Sequence, residues 1–154
     1  MKKIGEYTTR GAIRTDNSVN RIILDDGSFK TGYRITEFRI CTADIDSTSI
    51  RGFSCKLLTD EGAALSPSAG INFNFDNNEE IAWALFSWDA NGPQSQIEWS
   101  LVDPDNLVIQ DLFLIADETV SSVDIKMNYF IRMEKYEISD WRGALGMVRN
   151  RSQA

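Results

Sequence analysis

Val123-Asp124-Ile125-Lys126-Met127-Asn128-Tyr129-Phe130-Ile131-Arg132-Met133-Glu134-Lys135 is the stretch that decides the fold. From Val123 to Glu134 apolar side chains occupy the odd positions and polar or charged ones the even positions, with Phe130 as the exception. A period of two belongs to a β-strand, whose successive side chains point to opposite faces, so the segment predicts a long strand with Ile125, Met127, Tyr129 and Ile131 in the core. Working backwards, Ile97, Trp99 and Leu101 alternate with Glu98 and Ser100, which predicts a second strand with Trp99 inside. Asp103-Pro104-Asp105-Asn106 then supplies a turn, with proline fixing φ at its second position. Leu107 to Ala116 is apolar apart from Gln110 and Asp111, as expected of a strand covered on both faces or of one with a register break.

Further towards the N-terminus, Arg21 to Leu24 and Phe29 to Cys41 read as two strands around a turn in which Gly27 can take positive φ. Tyr33 and Ile35 share one parity and Phe38 and Ile40 the other, which predicts a bulge near Thr36-Glu37. Ile50 to Leu58, Ile81 to Trp88 and an edge strand over Tyr7 to Arg14 complete a set of about eight strands, with loops at 60–70 and 76–80. Closely spaced turns and no helical segments between strands predict an all-β fold, an antiparallel β-sandwich of the jelly-roll kind. The period changes only near the C-terminus. Trp141, Leu145 and Val148 stand at helical spacing behind Ser139 and Asp140, two residues suited to N-capping. Gly143 and Gly146 each cost such a helix about 0.8–1.0 kcal/mol relative to alanine, so it needs a surface to lie on. The expected division is therefore a sandwich over 1–138 and a short amphipathic helix or basic arm over 139–154.

A chain of 154 residues with 42% apolar and 25% charged side chains is expected to fold as one domain. No run approaches the roughly 20 apolar residues of a membrane span, and the basic N-terminus lacks the apolar core of a secretory signal. The absence of histidine removes the commonest general base and every Ser-His-Asp or Cys-His arrangement. No Ser-x-x-Lys, glycine-rich phosphate loop or Cys-x-x-Cys takes its place, so the expectation is a non-enzyme without a cofactor. Cys41 and Cys55 read as buried thiols on neighbouring strands. Asp44-Ile45-Asp46 and the Asp103–Asn106 turn read as solvated carboxylates, since both lack the glycine and distal glutamate of a calcium loop. Glu79, Glu80, Asp89 and Glu98 are likewise indistinguishable from a solvated rim.

Charge is segregated along the chain. Residues 1–39 hold eight basic and five acidic groups, 40–124 hold two and fifteen, and 125–154 hold six and three, for a net charge of -7. Two readings follow. The basic ends fold back on the acidic middle of their own domain, or they reach an acidic neighbour and give a self-complementary, salt-sensitive subunit. On the second reading Trp141, Arg142, Leu145, Val148, Arg149 and Arg151 form a subunit interface. Nucleic acid is a poor partner for this tail, which lacks lysine clusters and interleaved aromatics.

The layout of about eight short strands, an N-terminal arm, no histidine and a basic extension resembles the small single-jelly-roll structural proteins of non-enveloped viruses, including tailless phages. Asn128 to Ser139 followed by the arginine-bearing tail is similar in character to the closing strand and C-terminal arm of such subunits. The resemblance implies a coat, vertex or decoration subunit made in the host cytoplasm and incorporated in the virion. It would have no catalytic residues and would act as a homo-oligomer in contact with other virion proteins. A second class stays open: a ligand-binding sandwich, such as a carbohydrate-binding or adhesion module, with Trp88 before the loop Asp89-Ala90-Asn91-Gly92-Pro93 as its exposed aromatic platform.

Overall fold

The period-two segments become eight strands in a computed structural model that describes residues 2–24, 27, 30–44, 50–60, 72–89, 95–118 and 125–138. They are β1 (Lys2–Arg14), β2 (Asp16–Ile22), β3 (Thr31–Thr42), β4 (Arg51–Leu58), β5 (Glu80–Asp89), β6 (Ser95–Val102), β7 (Leu112–Glu118) and β8 (Lys126–Glu137). All pairing is antiparallel, in a three-stranded sheet ordered β1-β8-β3 and a five-stranded sheet ordered β2-β7-β4-β5-β6. The two sheets form a β-sandwich. The described residues include no helix long and apolar enough to cross a membrane.

Its core follows from the alternation. Ile35, Phe38 and Ile40 of β3 and Met127, Ile131 and Met133 of β8 meet Phe53, Cys55 and Leu57 of β4, Ala84 and Phe86 of β5, and Leu112 and Leu114 of β7. Phe53 and Phe86 stack with ring centroids 6.1 Å apart. Each large apolar side chain so buried contributes about 1.5–3 kcal/mol. Tyr129 and Ile125 keep the core-facing parity but are only half-buried, packed against the core from its margin.

A jelly roll joins its strands as 1–8, 2–7, 3–6 and 4–5, and three of those pairs are present. The exception is β6, which stays hydrogen-bonded to β5. The connection after β6 stands in for the missing pair. Tyr33 and Val108 exchange backbone hydrogen bonds of 2.8 and 2.7 Å. Asn106 does the same with its amide, Oδ1 accepting from Ile35 N at 2.8 Å and Nδ2 donating to Ile35 O at 3.0 Å. Beside this contact β3 shifts register between Ile35 and Glu37, the bulge that the change of parity predicts.

Several expectations are corrected. The strands around Gly27 are no hairpin: β2 and β3 belong to different sheets, although Gly27 does take φ of 81°. Asp111 secures the end of β2, accepting from Leu24 N at 2.8 Å and from Arg21 Nε at 2.5 Å. Leu107 to Ala116 is broken, since β7 begins only at Leu112 after the bridge at Val108. Cys41 is exposed on β3 and Cys55 buried on β4 in the other sheet, and both thiols are free. Burial pushes the Cys55 thiol well above its ordinary pKa. The expected helix, with Trp141, Arg142, Leu145, Val148, Arg149 and Arg151, lies outside the described residues.

Charge segregation along the chain becomes segregation between sheets. The strands β1, β3 and β8 carry nine basic and four acidic side chains, whereas the other five carry three and six. The basic strands thus share one sheet, while the arginine-bearing end over 139–154 lies outside the described residues.

Candidate functional site

The outer faces of the two sheets differ in kind. On the three-stranded sheet, ion pairs run across all the strands. Lys3 Nζ lies 2.5 Å from Glu6 and 3.1 Å from Glu134, Arg132 lies 3.7 Å from Glu37, and Arg39 lies 2.8 Å from Glu37. The hydrogen bond from Lys3 holds Glu6 below the usual carboxylate range, and those from Tyr136 and Lys3 do the same for Glu134. This is a solvated face, and exposed pairs of this kind contribute little to stability.

The five-stranded sheet turns apolar side chains outward at β5 and β6. Strand pairing fixes the facing: Glu98 lies opposite the core residue Phe86 and Gln96 opposite Trp88, so Gln96, Glu98 and Ser100 are on the core side of β6. Ile97, Trp99 and Leu101 must then point away from the core, and they are 61%, 39% and 44% exposed. The expectation that Trp99 is interior is overturned. The side of β6 that looks towards β3 is the polar one, where Glu98 meets Arg39 at 3.8 Å. Leu85 of β5 and Phe75 are exposed alongside them.

A segment over 72–80 covers part of this face. Phe73 stacks on Trp99 at a centroid distance of 6.3 Å, and Phe75 meets the edge of Trp83 at 4.6 Å. Beneath them lies a buried ion pair, Lys56 Nζ to Glu80 Oε2 at 3.3 Å, with side-chain exposures of 6% and 0%. Both groups make further hydrogen bonds. Lys56 donates to Asn72 O at 2.9 Å, while Glu80 accepts from Trp83 Nε1, Asn74 N and Asn74 Nδ2, each at 3.0 Å. Glu80 is therefore a structural clamp and not part of a solvated rim, and Glu79 is buried as well.

Next to β6 lies a cleft of about 690 Å³ lined from both sheets, with Ile40, Tyr129 and Phe86 among its walls and Glu98 and Arg39 at 3.8 Å. Gly11 admits the Tyr129 side chain, since a Cβ there would stand 2.9 Å from the tyrosine hydroxyl. Trp88, expected as an exposed platform, is half-buried and packs against the main core, so among the described residues the exposed indole is that of Trp99. Among the described residues no three His, Cys, Asp or Glu side chains gather closely enough to hold a metal ion.

Sequence reasoning found the residues of the apolar strip but not their direction. Alternation marks two faces of β6 but carries no local signal for which of them looks towards the other sheet. No protein-family model matches the chain, and a search of curated proteins finds no match to it.

Proposed function

We propose that this chain is a non-enzymatic structural subunit that works through contacts with other subunits, as a coat, vertex or decoration component of a virus particle. The observation that carries the reading is the apolar outward strip Leu85, Ile97, Trp99 and Leu101 on a sheet whose counterpart is covered with ion pairs. An exposed apolar strip of this kind marks a surface that is covered in the working state. The wrapping order, with pairs 1–8, 2–7 and 4–5, supports the likeness to single-jelly-roll subunits, though fold alone does not carry function. Size-exclusion chromatography with light scattering tests the proposal. The expected result is an oligomer, and a strict monomer at every concentration would refute it.

A second reading is favoured by the cleft and by Trp99. A sandwich with a cavity of about 690 Å³ and an exposed indole suits a ligand-binding module, with sugars as the ligand class. That reading expects a monomer whose tryptophan emission shifts when a panel of sugars is added.

A further inference from the structure

The sandwich has four sheet edges, and three of them are closed to pairing. β1 carries Lys2, Lys3, Glu6 and Arg10, with a register shift between Lys3 and Gly5. β2 is broken between Asp16 and Val19, with Asn17 at φ of 62°. β3 has its bulge at Ile35/Glu37, charged Arg34, Glu37 and Arg39, and Val108 bonded along its edge. Bulges and charges are the devices that keep edge strands from adding another strand. β6 has neither a bulge nor a proline or lysine, and its single charge, Glu98, is met by Arg39 at 3.8 Å. Its outward side chains Ile97, Trp99 and Leu101 are apolar.

We propose that two copies of this chain join β6 to β6 in antiparallel fashion across a two-fold axis at Trp99, making one continuous ten-stranded sheet. The proposal rests on the assembly reading above and names its interface. The register follows from face and charge. Outward side chains remain on one face only when the paired residue numbers have an even sum, because neighbouring positions point to opposite sides. An axis at Glu98 would set two like charges directly opposite, which is destabilising. An axis at Ser100 shortens the paired segment and brings Asp103 opposite Ile97. With Trp99 on the axis, Ile97 lies opposite Leu101 of the second copy, Glu98 opposite Ser100 and Gln96 opposite Val102. No carboxylate then meets another, and the two apolar strips merge. One strand pair is a small contact, so it is reversible in solution and gains from repetition in a closed shell.

Sedimentation of the full chain across a concentration series is the test, at low salt and at about 1 M NaCl, where charge contacts are screened within about 3 Å. The expected species is a dimer that persists in high salt and is lost in both Ile97→Lys and Leu101→Lys. Both sites are exposed, so circular dichroism and melting of these variants should match the parent. In a Cys41→Ser background, Trp99→Cys should cross-link to a dimer under oxidised glutathione. Leu85→Cys, on the same face but one strand further from the axis, should not. Equal cross-linking at Leu85 would mean that the sheets stack face to face and would overturn edge pairing. An oligomer that survives both lysine variants but dissolves when the chain ends after Ser139 would also overturn it, leaving assembly standing with the C-terminal arm as its contact. A monomer under all conditions would overturn both.

Discussion

Glu80 shows how much one side chain carries when it is buried with its charge. Removing one partner of a buried ion pair costs about 3–5 kcal/mol, because the other charge is left uncompensated in a medium that solvates it poorly. Glu80→Ala also orphans the donors of Trp83 and Asn74. Denaturant unfolding of Glu80→Ala should therefore show a loss of about 3–5 kcal/mol, and a loss under about 1 kcal/mol would mean that water reaches Lys56. The thiols give a second check at this scale. Cys55 is fully buried with its pKa raised by burial, whereas Cys41 is exposed, so a thiol reagent should label one cysteine in the folded protein and two in denaturant. The burial of Cys55 was legible in the sequence, but the exposure of Cys41 and the pairing of Lys56 with Glu80 were not. Lysine in a strand ordinarily reads as a solvated position, and a carboxylate in the loop-like run Asp76–Glu80 reads as a rim. Only the segment over 72–80, folded back over β4 and β5, reveals that they meet.

Strands were legible where alternation is clean and where it slips. Met127, Ile131 and Met133 are buried as the period of β8 requires, and the change of parity in β3 falls where its register shifts, between Ile35 and Glu37. β6 alternates just as regularly, yet its apolar face is outward, because alternation separates two faces without saying which one has a sheet beyond it. The join between β6 and β7 was legible only as a turn. Its structural content lies in Asn106, a buried amide that acts as a strand residue towards Ile35. Asn106→Ala would leave the Ile35 amide and carbonyl without these partners, at about 1–3 kcal/mol for each buried group left unsatisfied. The expected fall in melting temperature is about 2–4 °C per kcal/mol for a chain of this size. Asn106→Asp keeps the acceptor for Ile35 N but sets a buried, unpaired carboxylate against the Ile35 and Asp103 carbonyls, so it should melt no higher than the alanine variant. If Asn106→Ala melts with the parent, the 106–108 segment is not what closes the edge of β3.

The sheet that binds the two ends of the chain is also the one that forms last, by an argument from chain separation. β8 is the central strand of the three-stranded sheet, and its partners lie far away in sequence: Lys2 pairs with Glu137, and Thr31 pairs with the same residue. Loop closure must be met before such contacts return anything, which makes topologies of this kind fold in milliseconds to seconds. In the other sheet, β5 and β6 are consecutive, with Asp89 paired to Ser95, and β4 pairs with β5 as the preceding strand. The transition state is therefore expected to contain β4, β5 and β6, with β8 docking afterwards. Phe86→Leu in β5 and Met133→Ala in β8 probe the two regions, since both side chains are buried in the same core. Stopped-flow measurements at low protein concentration should find that Phe86→Leu slows refolding, while Met133→Ala leaves refolding nearly unchanged and speeds unfolding. The reverse pattern would place the β1-β8-β3 sheet in the nucleus. It would also mean that the apolar edge of β6 is not among the first surfaces formed. On the expected order, β6 stands with its edge open before the sandwich is closed, so refolding at high protein concentration should lose yield to aggregation, and Leu101→Lys should restore it.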